Sequence, residues 1–154
     1  MKNASPLLTE VAEIQLSYST KVKASQMPRV EKSADVKSLF MDHWDSGKIE
    51  LQEEFKVMLL NRGNKVMGIV SISMGGIGGT IADPKLIFAT ALISGASAIV
   101  LAHNHPSGTL KPSQADINLT KKIKSAGEFL DITVLDHLIL TAEGYYSFAD
   151  EGAM

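Results

Sequence analysis

Residues 103–116, HNHPSGTLKPSQAD, gather side chains whose types and spacing point to metal chemistry. At an extended strand end, residues two apart face the same way. His103 and His105 therefore present both imidazoles to one ion, while Asn104 faces away. Pro106 stops the strand, and a Pro/Gly loop through Pro112 brings the chain to Ser113 and Asp116 at the start of a helix, where Asp116 offers a third ligand. Two histidines, a carboxylate and an open fourth position are a ligand set that suits catalytic zinc. Zinc held in this way lowers the pKa of its water to about 7. Taken singly, each piece has a plainer reading: His-x-His arises often by chance, and Ser113-x-x-Asp116 is a near-ideal helix capping box. Their combination in one short stretch favours a metal site, and the capping role would also fix Asp116 and leave the Ser113 hydroxyl beside it. With no cysteine in the chain, any metal must be held by His and carboxylates.

The elements that must position these residues follow from patterning. AIVLAHNHP is short, apolar and β-branched at its centre, as an interior strand is. Ile117, Ile123, Ala126 and Leu130 recur at helical spacing after Ser113, with Lys121, Lys122 and Lys124 largely on the wet side. LQEEFKVMLLNRGNKVMGIVSIS reads as a β-hairpin turning at Asn61-Arg62-Gly63-Asn64, with Glu53 and Glu54 near the start of its first strand. Asp83-Pro84 opens a helix to about Ser94 that is apolar almost all round and is expected to be buried. ITVLDHLIL is a further core strand, and YYSFADEG closes the chain with a last short one. In the first third, Val11 to Val22 alternates with Ile14, Leu16 and Tyr18 on one side, which predicts an edge strand. Ser33 is the expected N-cap of a short helix carrying Val36, Leu39, Phe40 and Trp44 inward and stopping at Ser46-Gly47. The result is an α/β (α+β) three-layer domain, a mixed β-sheet sandwiched by helices. Residues 1–48 form an N-terminal strand and helix elaboration, and residues 49–154 the metal-binding domain.

Composition agrees. The 154 residues are 45% hydrophobic and 21% charged, which suits one globular domain rather than a disordered chain or coiled coil. A net charge of −2 supplies no broad cationic field, so DNA could be held only weakly and locally. The first residues have no apolar signal-peptide core and no apolar run reaches a membrane span, which reads as a cytoplasmic protein with no membrane partner.

HNHPSGTLKPSQAD fits without a gap the His-x-His, seven residues, Ser, two residues, Asp pattern of the JAMM (JAB, MPN-plus) metalloproteases. The wider text, QEEFKVMLLNRGNKV, AIVLAHNHPSG, VLDHLIL and YYSFADEG, resembles the bacterial RadC-like branch over roughly residues 49–152. The resemblance implies a cytidine-deaminase-like sandwich and a zinc-dependent hydrolase acting on peptide or isopeptide bonds. Residue by residue, it makes His103, His105 and Asp116 the ligands and Ser113 the donor to the developing oxyanion. The general base would be a Glu on an early strand. Glu53 stands two before Phe55, where RadC-like sequences keep their Glu, whereas the placement in other JAMM proteins would select Glu54. Longer RadC-like chains carry a helix-hairpin-helix DNA-binding region that residues 1–48 do not resemble, so a DNA-repair role has little support here. The H-x-E…P-C-x-x-C signature of zinc deaminases is absent.

The remaining residues receive plainer readings. His137, alone on an apolar strand, is expected to be a satisfied core histidine, and His43 a surface one. Gly75 to Thr80 lacks the Walker Lys-Ser/Thr pair and reads as a flexible substrate-side loop. The partner implied is a protein or peptide substrate, with homo-oligomerisation left open.

Overall fold

A computed structural model describes residues 10–76 and 81–154. Among the described residues, five strands form one mixed sheet in the order β2-β1-β3-β4-β5. The hairpin is β1 (Glu54–Leu60) and β2 (Val66–Met74), antiparallel. Its turn is held by the Asn61 side chain, whose Oδ1 accepts from the amides of Gly63 and Lys65, while Asn64 takes a left-handed φ of 57°. Asn tolerates that region better than most residues.

β1 runs antiparallel to β3 (Ala98–Asn104), and β3 runs parallel to β4 (Thr133–Leu140), which pairs antiparallel with β5 (Tyr145–Ser147). Parallel neighbours need a crossover, and α3 (Gln114–Phe129) supplies it between β3 and β4. Every residue of β3 is buried, which explains its continuous apolar run: both faces of the sheet are covered. On one face, α1 (Ser33–Asp42) and the turn after it bury Val36, Phe40 and Trp44 against Met58, Leu60, Val100, Ala102, Leu138 and Leu140. On the other, α2 (Pro84–Ser94) and α3 bury Ile87, Phe88, Ala91 and Ile123 against Phe55, Val57, Leu59, Ile99 and Leu101.

Three local expectations need correction. Residues 10–20 form no strand, and Ile14 and Leu16 are 88% and 79% exposed. Alternation sorts side chains onto two faces, but a strand also needs a ladder partner, and among the described residues none pairs with this segment. Second, α2 begins at Pro84, with the Asp83 carboxylate accepting from the Lys85 amide, yet it buries only one face. Leu86 and Leu92 are 52% and 53% exposed because the sheet covers one side of the helix only. Third, Ser33 is the first residue of α1 rather than its cap. Asp35 accepts from the amides of Glu31 and Lys32, closing the helix start from within.

A bulge in β4 decides which side chains reach the site. Against β3, the register passes from Ile99↔Val134 to Val100↔Asp136, which leaves Leu135 unpaired. One extra residue reverses the facing of everything after it. Val134 lies in the α2/α3 core, whereas Leu138 and Leu140 lie in the α1 core, although all three are even-numbered. His137 is thereby turned to the α2/α3 face, where His103 also points.

Candidate metal centre

His103 lies near the end of β3, and His105 follows it, its amide donating to the Leu140 carbonyl and so prolonging the sheet by one rung at 3.0 Å. Pro106 ends the ladder. A tight turn then forms, with the Gly108 amide donating to the His105 carbonyl at 3.0 Å and Gly108 at a φ of +83°, a conformation that favours glycine. The turn returns the Thr109 carbonyl to His105 Nδ1 at 2.8 Å. A carbonyl only accepts, so His105 carries its hydrogen on Nδ1 and offers Nε2 as a lone pair.

Asp116 reaches the same point from the start of α3. The expected capping box is present: Ser113 Oγ accepts the Asp116 amide at 3.1 Å, and Asp116 Oδ2 accepts the Ser113 amide at 2.8 Å. Fixed by its own helix cap, the carboxylate places Oδ1 3.3 Å from His103 Nε2 and Oδ2 3.4 Å from His105 Nε2. The two Nε2 atoms are 3.0 Å apart. Zinc–ligand bonds of about 2.0–2.1 Å in a tetrahedron put ligand atoms about 3.3–3.4 Å apart, and one ligand atom from each of the three residues lies within 4.8 Å of the others, close enough to share a single ion. Among the described residues, His103, His105 and Asp116 form the one such group. His103 is buried, His105 and Asp116 are partly so, and Ser113 is exposed. The centre is therefore walled by protein on the core side and open toward the helix cap.

The electrostatics are those of a site that wants a cation. Hydrogen bonding to the accepting Asp116 carboxylate pushes the pKa of His105 above its ordinary value, the charge of Glu53 adding to the effect. Burial alone would raise Asp116, but its bonds to His103, His105 and the Ser113 amide hold it well below the usual carboxylate range.

The two acidic candidates before β1 face differently. Glu54 is buried on the α1 side, its carboxylate 3.4 Å from Lys56 Nζ, itself set over the Trp44 ring at 5.0 Å. Phe55 pairs with His103 across the strands and stacks on its ring at 6.0 Å. Carrying that alternation back two residues brings half-buried Glu53 to the histidine face, in keeping with its influence on His105. The Glu53 carbonyl accepts from the Gly75 amide at 2.8 Å, so the glycine-rich stretch begins beside it. The rest of that stretch, residues 77–80, lies outside the described residues, as does the sequence reading of a flexible loop there. Asn104 turns away from the histidines: its Oδ1 accepts from the Glu54 amide at 2.7 Å, and its Nδ2 donates to the carbonyls of Ile49 and Gln52 at 2.8 and 2.9 Å.

His137 is the residue whose place the sequence understated. It is fully buried and satisfied, as a core histidine would be, but one partner is a metal-site histidine: His137 Nε2 lies 2.8 Å from His103 Nδ1, and its Nδ1 lies 2.6 Å from Thr120 Oγ1. Burial drives its pKa well below the ordinary value, keeping the ring neutral. An Asp-His pair in an apolar strand carries no spacing signal for this role, and the bulge that aims His137 is invisible to alternation. His43 is exposed, as expected, and so are Lys121 and Lys122.

Comparison with known proteins bears on the whole arrangement. The model of the RadC-like JAB domain family matches residues 30–153, which takes in α1 as well as the metal-site elements. A UPF0758 protein of Flavobacterium johnsoniae is 58% identical over 100 residues, 65% of this chain and 44% of that protein. Another from Porphyromonas gingivalis is 40% identical over 140 residues, 90% of this chain and 62% of that protein. A third, from Geotalea uraniireducens, is 31% identical over 154 residues, covering all of this chain and 68% of its own length. The chain thus spans about half of the first two relatives.

Proposed function

Because the chain belongs to the RadC-like JAB domain family, we propose that it is a zinc-dependent hydrolase of amide bonds, using a JAMM-type site on peptide or isopeptide substrates. The observation that carries this reading is the convergence of His103 Nε2, His105 Nε2 and an Asp116 carboxylate at 3.0–3.4 Å, beside an exposed hydroxyl. No helix among the described residues is long and apolar enough to cross a membrane. When bound, a zinc ion would supply an acidified water and a Lewis acid for the scissile carbonyl. The chain's own residues do the rest. Glu53 takes a proton from the attacking water and returns it to the leaving amine, a single carboxylate acting as base and then acid. Ser113 spends its oxygen lone pair on the Asp116 amide, so its hydrogen is available to the oxygen on which negative charge develops. The backbone bonds that Asn104 makes to residues 49, 52 and 54 hold the segment carrying Glu53 against the end of β3.

The test is an unbiased peptide- and isopeptide-cleavage screen on zinc-loaded protein, paired with Glu53→Gln. That variant should keep its fold and its zinc while losing turnover by about 10²-fold or more, the scale of acid–base catalysis. Equal turnover in Glu53→Gln would refute the assignment of the base. A screen with no product, on protein that holds zinc, would favour a non-catalytic metal-binding role.

A further inference from the structure

Both metal-facing nitrogens must be lone pairs for an ion to bind, yet a histidine ring left to itself can put its hydrogen on either nitrogen. The Thr109 carbonyl settles the matter for His105. For His103 no carbonyl is at hand. Its Nδ1 meets His137 Nε2 at 2.8 Å, His137 Nδ1 meets Thr120 Oγ1 at 2.6 Å, and Thr120 Oγ1 donates to the Asp116 backbone carbonyl at 2.7 Å. The chain starts on one ligand and ends on the backbone of another.

We propose that Thr120 and His137 are positioning residues that fix the tautomer of His103, reserving its Nε2 for the metal. The argument runs from the carbonyl outward. Thr120 has one hydrogen, and the Asp116 carbonyl, which cannot donate, takes it. Thr120 Oγ1 therefore accepts from His137, which puts the His137 hydrogen on Nδ1 and leaves its Nε2 bare. That bare nitrogen accepts from His103 Nδ1–H, so His103 Nε2 is a lone pair aimed at His105 Nε2 and Asp116 Oδ1. Reversing every bond would put a hydrogen on His103 Nε2, inside the ligand triangle, and would leave two oxygens 2.7 Å apart with none between them. No solvent enters to break the chain, since Thr120, His137 and His103 are all buried, with His137 stacked on Phe148 at 4.8 Å and edge-on to Phe55 at 5.6 Å. Outer partners of this kind orient a metal-binding histidine and raise its affinity.

The inference rests on the metal-site reading, and the experiment separates the two. Zinc affinity is measured by chelator competition for wild type, Thr120→Val and Thr120→Ser, and the tautomers of His103 and His137 are read from long-range ¹H–¹⁵N correlations of zinc-loaded wild type. Valine keeps the shape and removes the acceptor, whereas serine keeps the hydroxyl. The expected result is a zinc affinity lowered about 10–100-fold in Thr120→Val, largely restored in Thr120→Ser, with His137 protonated on Nδ1 in wild type. Should Thr120→Val fail to fold, the wild-type spectrum decides alone. His137 protonated on Nε2, or a folded valine variant that binds zinc as wild type does, overturns the inference and leaves the metal site standing. Wild-type protein that takes up no zinc overturns both.

Discussion

Asn104 sits between the two histidines of the candidate metal centre and does its work on the opposite side of the sheet. Its side chain meets one amide and two carbonyls of residues 49–54, the amide of Glu54 and the carbonyl of Ile49 among them buried. Truncation to alanine would leave these groups unpaired, and each such group costs about 1–3 kcal/mol. Asn104→Ala should therefore lose roughly 2–4 kcal/mol in denaturant unfolding. Amide exchange of residues 49–54 should quicken in the variant while zinc uptake persists. Unchanged exchange in that segment would show that Asn104 does not hold it. At this scale the sequence displayed the three residues of the candidate metal centre openly, because His-x-His at a strand end and a carboxylate in a capping box are both local patterns. Glu53 and Glu54 were separable only as a pair facing opposite ways; which way each faces depends on the pairing of Phe55 with His103. His137 was hidden for a similar reason, since its role depends on residues at positions 103 and 120 that no local pattern joins to it.

Elements were legible where their signals are chemical. The Asp83-Pro84 helix start, the Asn-rich hairpin turn and the Ser113 cap all formed where their residues place them. Elements were misread where the outcome depends on a neighbour, as for residues 10–20, which alternate but meet no strand, and α2, which is apolar all round but covered on one side. The bulge at Leu135 belongs to the same class. Another neighbour-dependent feature yields a prediction. Near the end of α3, a Cβ at Gly127 would fall 2.4 Å from the Ile132 carbonyl oxygen and 3.1 Å from a Val134 methyl. The helix must rest directly on the chain entering β4, and the Ile132 amide donates to the Gly127 carbonyl at 2.8 Å. Gly127→Ala should force α3 away and cost about 1–3 kcal/mol, the usual range for overpacking. Zinc affinity should hold, because Asp116 stands in the first turn of α3 while Gly127 stands near its last residue. A thermal scan of metal-free protein beside a zinc titration checks both parts, and unaltered stability would mean that the close approach is easily relieved.

Across the whole molecule, the site joins the segment before β1, the end of β3, the start of α3 and the middle of β4, so its charge state is felt as stability of the entire fold. The folded-state pKa of His105 is raised above 6.5, so its contribution is fully present below the unfolded value and is lost as pH rises through the folded one. Asp116 is shifted the other way from 3.8: its contribution is present above that value and is lost as pH falls through its lowered one. Metal-free protein should accordingly lose part of its stability as pH climbs past 6.5, whereas zinc-loaded protein should not, because unprotonated ligands bind metal better. Denaturant midpoints across that range, with and without zinc, check the contrast, and parallel profiles would contradict it. The most direct measurement is simpler. Zinc per chain is determined in wild-type protein and in His105→Ala after equilibration with the metal and removal of the excess. The account expects close to one zinc per wild-type chain and loss of that zinc in the variant. Wild-type protein without zinc, or a variant that retains it undiminished, would contradict the metal centre from which the rest of the reading follows.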